Sequence, residues 1–153
     1  LARSTTAGDY TARTMIREIP DGTFAGISAF GDAGNAVGLA TGSGGKLVLW
    51  QRQKGRHQVL TQSTVPKKGD IQLQLVAKEG HRFQFFARGE DTQPCNPIGQ
   101  EIPGKHLPPW DRNVRVALTV RGTEGASAKF AYISISASGS VPIPESQSKP
   151  GAE

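Results

Sequence analysis

The stretch GDIQLQLVAKEGHRFQFFARG, residues 69–89, constrains the fold more than any other part of the chain. Ile71, Leu73, Leu75 and Ala77 alternate with Gln72, Gln74, Val76 and Lys78. After Lys78-Glu79-Gly80, Phe83, Phe85 and Ala87 alternate with Arg82, Gln84, Phe86 and Arg88. Alternation with a period of two places successive side chains on opposite faces of a strand, so the spacing predicts a hairpin with one face in a core. The other face is not the Lys/Glu/Ser/Thr mixture that merely keeps a sheet soluble: it carries glutamine, arginine and an aromatic ring.

The same rhythm recurs along the chain. Tyr10–Ile19, Phe24–Phe30, Ala36–Ala40, Lys46–Gln53, His57–Ser63, Asn113–Arg121 and Lys129–Ser136 each read as strands, separated by Pro20-Asp21-Gly22, Gly31–Asn35, Gly42–Gly45, Lys54-Gly55, Pro66–Gly69 and Gly122–Ser127. Turn signals every 8–12 residues or so are the mark of a sandwich or barrel. Residues 89–112 break the rhythm with five of the ten prolines, which excludes a regular central strand and reads as a long surface loop. From Ser138 onward the Pro/Ser/Gly content reads as a tail or linker, giving a domain over 1–137 and a tail over 138–153.

A length of 153 residues fits one domain with one substantial core. The net charge of +5 suits an acidic partner, but Lys and Arg are dispersed and no zinc-finger, helix-turn-helix or RNP-type pattern occurs, so no nucleic-acid partner is expected. No apolar run approaches the roughly 18 residues of a membrane span, and no membrane partner is expected. Cys95 is the one cysteine, in a proline-bounded loop without a nearby His, so neither an internal disulfide nor an activated thiol is expected. The start at Leu1 suggests a processed product or an excised module, and export or a periplasmic setting as part of a larger protein is the expectation.

The order DYTARTMI, AGISAF, GKLVLW, GDIQLQLVAKEGHRFQFFARGED, VRVALTVRG, AKFAYISI resembles the concanavalin A-like, laminin G-like domain found at the C-terminus of family 43 β-xylosidases and arabinofuranosidases. The resemblance covers about residues 1–137 and rests on the order and spacing of strands, each of which is weakly specific alone. It implies an all-β, two-sheet antiparallel jelly-roll sandwich beside a catalytic domain, to which Pro103–Asp111 is the segment that could lend a loop. Two features depart from the pattern: Pro94-Cys95-Asn96 precedes Gly99 where relatives carry an aromatic, and residues 100–112, with Trp110, are an elaboration.

Tests for chemistry come out negative. Glucanases of this fold class place two carboxylates on one strand face in Glu-x-Asp-x-x-Glu; here Glu90-Asp91 are adjacent and Glu101 and Asp111 isolated. His57, His81 and His106 form no metal pattern and read as surface histidines. Gly42-Ser43-Gly44-Gly45-Lys46 lacks the Ser or Thr and the helix of a phosphate loop. No cofactor is expected, although the oxygen-rich Asp32–Asn35 turn could hold a structural calcium ion. Were the chain catalytic, it would be a glycoside hydrolase or polysaccharide lyase.

Strict alternation puts Trp50, Arg52, Gln72, Gln74, Arg82, Gln84, Phe86, Arg88, Arg115 and Arg121 outside, with Trp110 on the proline-rich loop. If these strands share a sheet, they form a face suited to sugars: rings cover the apolar side of a pyranose while Gln and Arg meet hydroxyls and carboxylates. The expectation is a non-catalytic carbohydrate-binding accessory module, with acidic glycans favoured by the arginines. The alternative is a structural domain that packs on a catalytic domain through Trp50, Phe86, Val48 and Val76 without binding sugar.

Overall fold

The computed structural model describes residues 2–4, 9–65, 69–79, 81–89, 95–104, 107 and 115–137. The alternating segments become β1 (Ala2–Ser4), β2 (Tyr10–Glu18), β3 (Phe24–Asp32), β4 (Asn35–Thr41), β5 (Lys46–Gln53), β6 (Arg56–Thr64), β7 (Ile71–Lys78), β8 (Arg82–Arg88), β9 (Asn96–Pro103), β10 (Arg115–Arg121) and β11 (Lys129–Ala137). They form a six-stranded sheet in the order β1-β10-β3-β4-β5-β6 and a five-stranded sheet in the order β11-β2-β7-β8-β9. Every pairing is antiparallel. This is the expected two-sheet jelly-roll sandwich. The tail over 138–153 lies outside the described residues.

The core lies between the sheets. Ile27, Leu39, Leu49 and Val116 of one sheet meet Tyr10, Ile16, Leu73, Leu75, Phe83 and Phe85 of the other, each at most 1% exposed. Burying each large apolar side chain stabilises the fold by about 1.5–3 kcal/mol, so slipping a strand by one residue would turn a whole row to water. Leu118, on the same face of β10 as Val116 and paired with Ile27, is only half-buried.

Two parts of the sequence reading are corrected. Residues 96–103 are a strand, β9, at the edge of the five-stranded sheet, not part of a continuous loop. An edge strand tolerates Pro97 and Pro103 because only one side of it has a partner. The short strand β1 was not anticipated; its three residues pair with Arg115–Ala117.

Hairpin tips order one end of the six-stranded sheet. Lys54 and Gly55 both have positive φ, 52° and 79°, as a two-residue turn of the primed type requires. The Asn35 Oδ1 accepts the Lys54 N–H at 3.0 Å, and the Gly34 carbonyl accepts the Gly55 N–H at 2.9 Å. The Asp32 carboxylate accepts from the Gly34 N–H at 2.8 Å and from the Asn35 amide at 3.0 Å, so the oxygen-rich turn is built around its own hydrogen bonds.

Candidate functional site

Outward positions on β3 and β4 are Phe24, Gly26, Ser28, Phe30, Ala36, Gly38 and Ala40, deduced from register with the buried Ile27 and Leu39. Most are small, so the middle of this sheet is a depression. β5 adds Val48, Trp50 and Arg52 on one side, and β10 adds Thr119 and Arg121 on the other. The result is a hollow of about 920 Å³ with Phe24, Phe30, Ala36, Ala40, Val48 and Trp50 among its lining residues. These residues are a second, smaller apolar cluster on the outside of the sheet.

The Trp50 indole lies flat on β4 where Gly38 has no side chain: a Cβ there would sit 2.6 Å from Trp50 Cζ2. Its other side is covered. His57 stacks on it with ring centroids 5.6 Å apart and planes at 27°, and the Arg52 guanidinium carbon lies 5.5 Å from the ring centroid. Only 9% of Trp50 remains exposed, so the ring presented to solvent is the imidazole it supports. Arg52 is anchored by an N–H donated to the Ala33 carbonyl at 3.2 Å.

A guanidinium nitrogen of Arg121 reaches His57 Nε2 at 3.3 Å. Strands in a sheet lie about 4.8 Å apart, and β3, β4 and β5 intervene between β10 and β6. Such a contact requires the sheet to curl over its outer face. Burial, then the positive charges of Arg121 and Arg52, hold the His57 pKa below the ordinary imidazole value.

The outward residues that the sequence grouped together do not share one sheet. Trp50, Arg52, Arg115 and Arg121 belong to the six-stranded sheet, and Gln72, Gln74, Arg82, Gln84, Phe86 and Arg88 to the five-stranded one, on the opposite side of the sandwich. Arg115 sits over the Phe30 ring at 5.4 Å and donates to the Gly31 carbonyl at 3.1 Å; Phe30 lines the hollow, and Arg115 itself does not. Trp110, and most of Pro103–Asp111, lie outside the described residues.

On the five-stranded sheet the polar groups engage one another. Gln72, 8% exposed, donates to the Tyr132 hydroxyl at 3.1 Å and faces the Cys95 thiol at 3.8 Å. Arg13 donates to Gln74 Oε1 at 2.8 Å, and Gln84 to the Gly99 carbonyl at 3.1 Å. Arg82 pairs with Glu79 at 2.7 Å and Glu101 at 3.7 Å. Phe86 is half-buried opposite Gln74 and Pro97.

The sequence reading missed Phe24, Phe30 and His57 as members of a site. The signal for the two phenylalanines was the alternation within FAGISAF, where they bracket Gly26 and Ser28 on one face. His57 had no local signal, because a bulge at the Trp50 level of the β5–β6 pairing leaves Leu60 unpaired and resets the face of β6.

No family model matches the chain. The curated proteins contain no match either. Among solved structures, the chain is similar to a xylan β-1,4-xylosidase from Bacillus halodurans C-125, with a TM-score of 0.75 at 17% identity over 88% of this chain and 28% of that one. It is similar to GH43B of the Bacteroides ovatus xyloglucan PUL, with a TM-score of 0.72 at 17% identity over 89% of this chain and 29% of that one. Sheep galectin-11, in complex with glycerol, gives a TM-score of 0.54 at 12% identity, over 88% of this chain and 94% of the galectin. The fold is therefore the lectin-like, concanavalin A-like sandwich. More narrowly, it is the β-sandwich fold also carried by GH43 enzymes, and the chain spans about 28% of the length of the xylosidase.

Proposed function

We propose that the chain is a carbohydrate-binding accessory module that works beside a glycoside hydrolase catalytic domain and holds its glycan in the hollow of the six-stranded sheet. The observation that carries this is the hollow itself: about 920 Å³, an apolar aromatic floor, and a rim of Arg52, His57 and Arg121. Small-molecule sites are concave, of roughly 300–1,000 Å³, mostly apolar, with a few polar groups that set orientation. A pyranose meets that description with an apolar C–H side and hydroxyls around its edge. The neighbouring catalytic domain is supported by the xylosidase and GH43 structures, in which this fold accounts for under a third of the chain. The described lining holds no carboxylate, whereas glycoside cleavage by the common mechanism uses a pair.

Titration of the labelled domain with neutral and acidic oligosaccharides, followed by heteronuclear NMR, tests the reading. The expected result is saturable shifts at the Trp50 indole and at His57, Arg52 and Arg121, while Gln74 and Gln84 stay in place. An affinity of roughly 0.1–1 mM corresponds to about −4 to −5.5 kcal/mol. Silence of the hollow at millimolar sugar would refute it.

One observation favours a second reading, docking on the catalytic domain without sugar. Val59 and Val120, each 44% exposed, stand in the wall of the hollow. In that case the Trp50 and Val59 signals would respond to the catalytic domain and to no oligosaccharide.

A further inference from the structure

Three strands bring basic side chains to the rim of the hollow: Arg52 from β5 and His57 from β6 on one side, and Arg121, which reaches across to His57, from β10 on the other. A guanidinium only donates hydrogen bonds, so in the Arg121–His57 contact the Nε2 atom accepts and the imidazole proton resides on Nδ1. The three groups together thus offer N–H donors to the hollow. Among the described residues neither guanidinium has a carboxylate partner, and no Asp or Glu lines the hollow. The Asp32 carboxylate, on the hairpin whose Ala33 carbonyl anchors Arg52, is engaged by Gly34 and Asn35.

Deepening the reading of the hollow as a glycan site, and resting on it, we propose that the hollow selects glycans bearing an oxyanion, a uronate carboxylate or a sulfate, seated among Arg52, His57 and Arg121. Neutral sugar hydroxyls both donate and accept, and a rim of donors satisfies only half of that capacity. A carboxylate or sulfate only accepts, and charge-assisted hydrogen bonds to it are about twice as strong as neutral ones. Arg52 is already fixed by the Ala33 carbonyl and Arg121 by His57, so little ordering is required when the anion arrives. The His57 pKa is lowered first by burial and then by the charges of Arg121 and Arg52, and an anion seated beside them would offset the second contribution. The chain's net charge of +5 steers acidic glycans toward it.

The test compares galactotriose, trigalacturonate and a sulfated galactotriose by calorimetry, at low and at physiological ionic strength. Either acidic sugar should bind about tenfold or more tightly than galactotriose, the scale of one charge-assisted hydrogen bond, and the stronger of the two identifies the oxyanion. The preference should shrink with salt. Arg121→Gln and Arg52→Gln should each reduce it several-fold, with near-native circular dichroism. Arg17→Gln, the same loss of charge on the opposite sheet, should leave it intact. Equal binding of neutral and acidic sugars, or a preference that survives both hollow variants, overturns the oxyanion proposal while sparing the glycan site. Binding of none of the three overturns both.

Discussion

The two outer faces of the sandwich grow from the same alternating pattern and end as opposite kinds of surface. On the five-stranded sheet, Gln72, Gln74, Gln84 and Arg82 are joined to neighbouring side chains and carbonyls, so that the face is a ladder of polar groups that engage one another. On the six-stranded sheet, small residues in the middle strands open a depression, aromatic rings fill its floor, and the basic groups at its rim have no acidic partner among the described residues. The difference lies in charge pairing: Arg82 meets Glu79 and Glu101 on the first face, whereas among the described residues Arg52 and Arg121 of the second meet a carbonyl and an imidazole and no carboxylate.

The strongest way to break this comparison is Trp50→Ala. If the outer face of the six-stranded sheet is a second core, removing its largest member should destabilise the domain by about 3–5 kcal/mol, as for other buried Trp and Phe truncations. The matching Phe86→Ala on the opposite face, where the ring is only half-buried, should lose no more than about half of that. Urea unfolding of the two variants checks this. Equal losses would mean that the two faces do not differ as described.

Gly38→Val should follow in size. Its branched side chain would enter the space of the indole, where a Cβ lies 2.7 Å from Trp50 Cε2 and 3.0 Å from the Ile27 carbonyl oxygen. Overpacking of this kind costs about 1–3 kcal/mol. It should also lift Trp50 off β4, seen as a red-shifted fluorescence maximum and loss of the His57 ring-current shift. An unchanged indole environment would show that Trp50 does not depend on the glycine beneath it.

These cases show which features were legible in the sequence. Strands with strict alternation, such as Ile71–Lys78 and Arg82–Arg88, were read nearly to the residue, because a period of two with a buried face leaves little other choice. β9 was not, since Pro97 and Pro103 argue against a strand unless its edge position is known. Of the site, Trp50 and Arg52 were legible as outward neighbours on β5. Which sheet held each outward residue was not, because alternation assigns a face within a strand and says nothing of the partner strand. The approach of Arg121 to His57 depends on sheet curl and a bulge, both of which are properties of the assembled sheet.

On the five-stranded face, Tyr132→Phe sharpens the contrast at a smaller scale. The hydroxyl accepts from the Gln72 amide, and Gln72 is 8% exposed. Loss of the bond should destabilise by about 0.5–1.5 kcal/mol, measured by the urea midpoint. In Tyr132→Phe combined with Gln72→Leu the unsatisfied amide is gone, and much of the loss should be recovered. A single variant as stable as the parent would mean that this polar ladder contributes nothing measurable.

The smallest effect is expected at His57, and its sign is what matters. The folded-state pKa lies below the ordinary value of 6.5 because of burial and the charges of Arg121 and Arg52. Well above that value the imidazole is neutral in both folded and unfolded chains, and stability does not depend on its titration. As the pH falls through the window between 6.5 and the lower folded value, the unfolded chain takes up the proton first, so stability drops. The residue is largely exposed, which keeps the change small. His57→Gln removes it while keeping a polar side chain of similar reach. The difference in urea midpoint between parent and variant should therefore move against the parent between about pH 7.5 and about pH 5.5, the range in which an imidazole titrates. Saturation with an oxyanion-bearing sugar should reverse the direction, because an anion beside His57 favours the protonated ring. A difference that is flat with pH, with and without the sugar, would separate His57 from the positive field of the rim.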